Sequence, residues 1–192
     1  MLGQYPYWCF NQELNSRFCS EIIKFGTKLG QDVSGGLYEE GSTIKDEAIR
    51  KSKITWINSN EIIEIFKMYI EVANIKAGWD FDICSYEVPQ FSEYEEGGHY
   101  DWHVDTGVEA TEENLYRKLS ISVNLNEDYE GGDFEVQRWC PPNSSARSVV
   151  VKEMHNAGSI LVFPAFMHHR IKPVTKGVRH SLVGWFRGPA FQ

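Results

Sequence analysis

The densest run of side chains able to hold a metal ion is Gly97-Gly98-His99-Tyr100-Asp101-Trp102-His103-Val104-Asp105. On an extended strand, side chains alternate between faces, so positions 99, 101, 103 and 105 share one. All four are His or Asp. Such a set is costly to bury unless it binds something or partly reaches solvent. Within it, an H-x-D pair places an imidazole and a carboxylate next but one to each other, within reach of one ion. Polar residues also alternate on solvated strand faces, so the pair needs a third ligand from a distant strand. His168 and His169 are the candidates. They follow the apolar run Ile160-Leu161-Val162-Phe163-Pro164 and precede Ile171-Lys172-Pro173-Val174. Two imidazoles and one carboxylate, with three coordination positions left open, form the ligand set with which non-haem Fe(II) centres handle O₂.

The open positions suit a chelating cosubstrate. A dianion such as 2-oxoglutarate needs a second anchor for its far carboxylate. Arg179 lies ten residues after His169, and a turn at Lys176-Gly177 brings it back on the next strand. Arginine stays charged when buried and binds a carboxylate with two parallel hydrogen bonds. Taken alone, Arg179 reads as a surface arginine; after the triad it reads as an anion anchor.

The elements that must position these groups fall into two regions. In the first ~80 residues the period is helical. Asn11 is expected to cap a helix carrying Leu14, Phe18, Ile22, Phe25 and Leu29 on its apolar stripe. A second helix is expected from Asn58 or Ser59, with Asn58 and Glu61 as a capping box, Ile62, Phe66, Tyr69, Ile70 and Ala73 as its stripe, and Gly78 as its stop. Between them, the glycine-rich segment from Ser34 to Gly41 reads as a mobile loop. After Gly78 the period becomes two. Leu119, Ile121, Val123 and Leu125 alternate with Ser120, Ser122 and Asn124, the pattern of a half-buried strand. Further β runs are Asp82 to Tyr86, Tyr100 to Val104, Val149 to Val151, Ile160 to Phe163 and Leu182 to Phe186. Gly131-Gly132, Pro141-Pro142-Asn143, Asn156-Ala157-Gly158 and Lys176-Gly177 are turn signals between them. The fold class expected is mainly β with flanking helices packed on a jelly roll.

Composition narrows the function classes. A chain of 192 residues fits one domain and can bury its own core. The net charge of −8 leaves no broad basic face, so no nucleic-acid partner is expected. No apolar run reaches the ~20 residues of a membrane span, so no membrane association is expected. Met1 to Pro6 holds no basic region leading into an apolar stretch, and a cytoplasmic location is expected. Cys9, Cys19, Cys84 and Cys140 form no C-x-x-C pair and read as reduced, mostly buried thiols. His155 and His180 read as surface or hydrogen-bonded histidines, and Glu93, Glu95 and Glu96 as a solvated acidic loop. Trp139-Cys140 either packs or lines a mouth.

Three stretches together resemble a known family. Tyr94-Glu95-Glu96-Gly97-Gly98-His99-Tyr100-Asp101-Trp102-His103-Val104-Asp105 is similar to the signature of Fe(II)/2-oxoglutarate oxygenases of the prolyl 4-hydroxylase type. Asp128-Tyr129-Glu130-Gly131-Gly132-Asp133-Phe134 resembles that family's E-G-G turn. Gly158 to Pro164, His169 to Val174 and Gly177 to Trp185 resemble its C-terminal half almost without gaps. The resemblance covers residues ~80–188, with a looser match around Ile49-Arg50-Lys51-Ser52.

The resemblance implies a double-stranded β-helix core over residues 80–188, with residues 1–79 as helical support, in a single domain over 1–192. It implies His103, Asp105 and His169 as the iron ligands, over the rival set His99, Asp101 and His168. It adds Tyr94 to Arg179 on the distal carboxylate. Ser181, two residues beyond Arg179 on the same strand face, is a further candidate there. It implies substrate contacts at Tyr100, Arg117 and Trp185, whose alternative is packing of the core. The cofactors implied are Fe(II), 2-oxoglutarate as cosubstrate, O₂ and L-ascorbate as reductant. The basic anchor is arginine where animal and algal members use lysine, which points to the bacterial and phage-like branch.

The function expected is therefore a 2-oxoglutarate-dependent dioxygenase, expected to hydroxylate prolyl residues of a peptide or protein, as a monomer or weak homodimer. The alternatives are the same chemistry on a free amino acid or small metabolite, and a non-catalytic cupin-like metal-binding module. A zinc hydrolase lacks a general base at matched spacing. Gly35–Gly41 and Thr106–Arg117 are candidate lids, since a reactive oxidant has to be screened from water.

Overall fold

A computed structural model describes residues 5–30, 37–39, 42–44, 46–107, 114–137 and 147–190, the two short stretches 37–39 and 42–44 by backbone alone. The candidate lids, apart from Leu37–Glu39 and the ends of the second, lie outside these residues, as do Trp139, Cys140 and the turn Pro141-Pro142-Asn143.

In chain order the elements are β1 (Trp8–Phe10), α1 (Ser16–Leu29), β2 (Leu37–Glu39), β3 (Ser42–Ile44), β4 (Arg50–Lys51), β5 (Lys53–Trp56), α2 (Asn60–Lys76), β6 (Ser85–Tyr86), β7 (Gln90–Tyr94) and β8 (His99–His103). Then follow β9 (Tyr116–Asn124), β10 (Glu130–Gly131), β11 (Phe134–Gln137), β12 (Ser148–Val150), a 3-10 turn at Lys152–His155, β13 (Ile160–Pro164), β14 (His169–Ile171), β15 (Val174–Lys176) and β16 (Arg179–Gly188). The major sheet runs β1-β13-β9-β16-β7-β5, with β6 also on β16; the minor sheet runs β12-β11-β14-β8-β4. The strand pairs within both are antiparallel. The two sheets and their crossing connections form the expected jelly roll.

The period of two sorts the major sheet's residues into two cores. On the outer face, Leu119, Ile121 and Val123 of β9, Ile160 and Val162 of β13, Leu182 and Phe186 of β16 and Phe91 of β7 pack against Ile22 of α1 and Phe66 and Ile70 of α2. The inner face, between the sheets, holds a second cluster of Tyr94, Phe134, Val136, Leu161, Phe163 and Ile171. Ser120, Ser122 and Asn124 are buried too. So β9 is not the half-buried strand its alternation suggested. Alternation records a change of partner from face to face, and here the polar face lines the interior.

Both helices form where expected but are capped and rotated differently. Asn15, not Asn11, caps α1, its Oδ1 accepting from the Phe18 N–H at 2.9 Å. Asn11 instead accepts from Asn156 Nδ2 at 2.8 Å. Phe25 and Leu29 are about half exposed, and Cys19, Ile22 and Gly26 face the sheet. The reason is Gly26: a Cβ there would lie 2.5 Å from Phe91 Cδ1, so the helix docks on its glycine and turns Phe25 away. Ser59 caps α2 through the Ile62 N–H, and the Asn58–Glu61 box does not form. Tyr69 is only half-buried and meets Phe10 edge-on, with ring centroids 4.9 Å apart.

The N-terminal third does more than supply helical support. β1 pairs with β13, β4 with β8 and β5 with β7, so it extends both sheets. These strands are too short for their period to show in the sequence. Strand β6 covers only Ser85–Tyr86 of the expected Asp82–Tyr86 run. Glu93 is not in a solvated loop: on β7 its carboxylate lies 3.5 Å from Lys53 Nζ and 3.2 Å from His180 Nε2. Among the described cysteines, Cys19 is buried, Cys9 half-buried and Cys84 exposed. No helix among the described residues is long and apolar enough to cross a membrane.

Candidate active site

The H-x-D pair is delivered by an irregularity in β8. Against β14, His103 pairs with His169 and Tyr100 with Ile171, so three steps on β8 oppose two on β14. Such a bulge inverts the face on which later residues project. Tyr100 and His103 therefore share the inward face, their rings stacked at 3.5 Å between centroids. The expectation that 99, 101, 103 and 105 share one face fails for this reason. His99 has both ring nitrogens near backbone carbonyls, Gly97 at 3.0 Å and Ala48 at 3.2 Å. Asp101 is exposed, 3.8 Å from Arg170. His168 is exposed as well.

The structure brings together His103, Asp105 and His169. Asp105 Oδ1 lies 3.6 Å from His103 Nε2, and Oδ2 lies 3.6 Å from His169 Nε2. One potential ligand atom from each residue falls within 4.8 Å of the others, the only such group of three His, Cys, Asp or Glu found among the described residues. Each imidazole is oriented by its other nitrogen. His103 Nδ1–H donates to the Asp101 carbonyl at 2.7 Å, and His169 Nδ1–H to the Met167 carbonyl at 2.9 Å. This arrangement turns Nε2 of both rings toward the centre, the nitrogen left free to coordinate in the tautomer a metal requires. His169 is further fixed by Phe134, stacked at 5.6 Å, and Phe163, edge-on at 4.6 Å.

The electrostatics favour a cation. Burial alone would raise the Asp105 carboxyl, but His169, His103 and Arg117 outweigh it and hold it well below the usual carboxylate range. Burial pushes His169 down to about 4 against the opposing pull of Asp105. At neutral pH the set is thus one carboxylate and a neutral His169, ready to coordinate without first losing a proton. Two nitrogens and one carboxylate oxygen fit Fe(II).

The expected anion anchor lies on the same inward side of the major sheet. Arg179 of β16 is opposite Tyr94 of β7. It is 1% exposed, and none of its Nε, Nη1 and Nη2 atoms has a hydrogen-bond partner among the described residues. Its guanidinium carbon sits 5.6 Å from the Tyr94 ring centre. A buried, unpaired cation is costly, and a carboxylate accepting two of its N–H groups would offset that cost. The E-G-G turn makes room for it: Gly132 has φ +63°, and a Cβ there would come within 3.0 Å of Arg179 Cδ. Ser181 follows on the same face, buried between Ser92 and Asn124.

Of the expected substrate contacts, Tyr100 is half-buried against His103 and below Arg50, whose guanidinium carbon is 4.6 Å from its ring centre. Burial lifts its phenol to about 12, so it stays protonated. Trp185 is buried, with Arg117 stacked at 4.1 Å over its ring and its own Nε1–H without a hydrogen-bond partner among the described residues. Arg117 is heavily engaged: it grips Glu87 through Nε at 2.7 Å and Nη2 at 2.5 Å, and donates from Nη1 to the Asp105 carbonyl at 3.2 Å. Glu87 and Ser120, whose hydroxyl donates to Asp105 Oδ2 at 2.6 Å, were not singled out from the sequence. An isolated glutamate carries no local signal; Ser120 could have been suspected because it alternates with apolar residues on a strand near the ligands.

A jelly roll with a His–Asp–His cluster and a buried arginine in its interior defines a candidate non-haem metalloenzyme. The profile of the 2OG-Fe(II) oxygenase superfamily matches residues 89–187, half of the chain, and the chain belongs to that family. Fe(II) and 2-oxoglutarate are the metal and cosubstrate that this family implies. A PKHD-type hydroxylase of Gloeothece citriformis is 33% identical over 98 residues, which is 50% of this chain and 40% of that relative. The match thus spans about two-fifths of the length of such curated relatives. Two solved structures share the fold at 18% identity. A Pseudomonas putida prolyl-4-hydroxylase has a TM-score of 0.70, over 97% of this chain and 94% of that one. A Trichoplax adhaerens prolyl hydroxylase, in complex with a hypoxia inducible factor oxygen degradation domain peptide fragment, has a TM-score of 0.71 over 94% and 83%.

Proposed function

We propose that this chain is an Fe(II)- and 2-oxoglutarate-dependent hydroxylase whose substrate is a prolyl residue in a peptide or protein. The observation that carries the reading is the buried Arg179, without a hydrogen-bond partner among the described residues, inside the same barrel as a His–Asp–His cluster. A structural metal site has no use for such an arginine, which argues against a non-catalytic cupin-like module. His103, Asp105 and His169 would hold the iron, and Arg179 with Tyr94, assisted by Ser181, the distal carboxylate. When bound, Fe(II) and 2-oxoglutarate would activate O₂, one oxygen atom going into the substrate C–H bond and the other into the succinate left after CO₂ is lost, with ascorbate keeping the iron reduced.

The chain's own residues then bind, orient and screen. Asp105 stays ionised because its neighbours favour the charged form. His169 stays neutral because it is buried. Phe134, Phe163 and Leu161 keep the interior side of the site dry. Tyr100 and Trp185 offer flat apolar walls suited to a pyrrolidine ring, and a structural neighbour that holds a peptide makes that class the first to test. One observation favours a second reading, a free amino acid or small metabolite. Arg117 already places three of its donors on Glu87 and the Asp105 carbonyl, which suits a residue that pins β9 rather than one that receives a peptide.

The assay supplies Fe(II), ascorbate and 2-oxoglutarate with proline-containing peptides or free L-proline, and follows succinate and hydroxyproline. Hydroxyproline formed in peptides alone, and lost in Trp185→Ala while uncoupled succinate formation persists, supports the prolyl pocket. Turnover on a small metabolite, with no peptide hydroxylated, defeats the prolyl assignment and leaves the oxygenase reading standing. No succinate under any condition defeats both.

A further inference from the structure

We propose that Ser120 is a positioning residue for the metal centre, its hydroxyl fixing the rotation of the Asp105 carboxylate. The inference rests on the reading of His103, Asp105 and His169 as ligands and deepens it. Strand β8 ends at His103, so no strand pairing orients the Asp105 side chain. Its backbone is tied down by the N–H donated to the Ala165 carbonyl at 2.8 Å and by the carbonyl that accepts from Arg117. The carboxylate itself turns about a torsion that is broad and weakly restricted in the absence of a partner.

Ser120 supplies that partner. It lies in the middle of β9, fully buried and paired in register with Trp185 on one side and Phe163 on the other. A side chain so enclosed makes a rigid reference point. Its Oγ–H donates to Oδ2 at 2.6 Å, in the short range of hydrogen bonds to an ionised acceptor. With it, each of the three candidate ligands has one outer partner: the Asp101 carbonyl for His103, the Met167 carbonyl for His169 and the Ser120 hydroxyl for Asp105. The pattern is that of a site whose ligands are oriented before the ion arrives, so that binding need not order them.

The test is anaerobic titration of the full chain with Mn(II) and with Fe(II), read by calorimetry, on wild type, Ser120→Ala, Ser120→Thr and Asp105→Ala. Circular dichroism and thermal unfolding of the metal-free proteins run beside it. Loss of an outer-shell partner weakens metal binding roughly 10- to 100-fold. Ser120→Ala is expected to show that loss with an unchanged fold, and Ser120→Thr, which keeps the hydroxyl, to recover most of it. Wild-type affinity in Ser120→Ala overturns the proposal, and so does an equal loss in Ala and Thr, which would assign the effect to shape. Asp105→Ala binding metal as tightly as wild type removes the ligand reading itself, and this inference with it.

Discussion

The two faces of the major sheet use the same strands for opposite ends. On the outer face, Leu119, Ile121, Val123 and Leu182 join Phe66 and Ile70 of α2 in one cluster of apolar side chains. On the inner face the same strands present Ser120, Ser122, Asn124, Ser181 and Arg179, all buried, and the last has no hydrogen-bond partner among the described residues. The outer face stabilises the fold by removing apolar area from water. The inner face forgoes some of that gain to keep buried polar groups beside the candidate metal and anion sites. The lesson is that burial does not separate core from site here; the chemistry of the buried atoms does.

The comparison is broken most sharply by Asp105→Ala. Succinate formation dependent on Fe(II) is expected to vanish while the far-ultraviolet circular dichroism stays that of wild type. An unfolded variant would show that the inner face is structural after all. Next in size is the outer face. Phe66→Ala removes a buried ring and is expected to cost about 3–5 kcal/mol in denaturant unfolding. The surviving folded protein should bind 2-oxoglutarate with an unchanged constant; a large rise would show that the two faces are coupled.

Arg179→Ala sharpens the contrast from the other side. A charge-assisted pair contributes roughly 1.5–3 kcal/mol, so the dissociation constant for 2-oxoglutarate should rise about ten- to a hundred-fold. Stability should rise or hold, since a buried cation with no hydrogen-bond partner among the described residues has been removed. An unchanged dissociation constant would free Arg179 for another role.

The smallest effect is in the pH dependence of the metal-free protein. His169 titrates near 4 in the fold, below its ordinary 6.5. The unfolded chain therefore takes up this proton first as the pH falls. Stability from the neutral ring is complete above about 6.5 and is lost between there and about 4, by up to about 3 kcal/mol. Across unfolding free energies measured from pH 7 to pH 4, wild type should lose stability relative to His169→Asn by up to that amount. Parallel curves would mean that His169 is not held neutral.

The sequence by itself determined the ingredients and their order along the chain. The H-x-D pair, a distal histidine, the arginine after Lys176-Gly177, the two-helix start and the alternating strand were all legible, because each is a local pattern of residue type and spacing. So was Gly132, whose turn is written in Glu130-Gly131-Gly132 and whose missing Cβ leaves room for Arg179. Spacing left open which histidines converge; the family resemblance pointed to His103 and His169, and only the tertiary structure supplied the physical reason. Spacing alone put His99, Asp101, His103 and Asp105 on one face, and the bulge opposite His169 and Ile171 split them. A bulge is set by pairing with a strand some seventy residues away, so no local pattern announces it. The same holds for Gly26, which turns α1 because Phe91 lies across from it, and for Ser120 and Glu87, which matter through the distant residues they hold. Local patterns fix what a segment presents to its neighbours; which neighbours it meets is settled by long-range packing, and the site is built from those meetings.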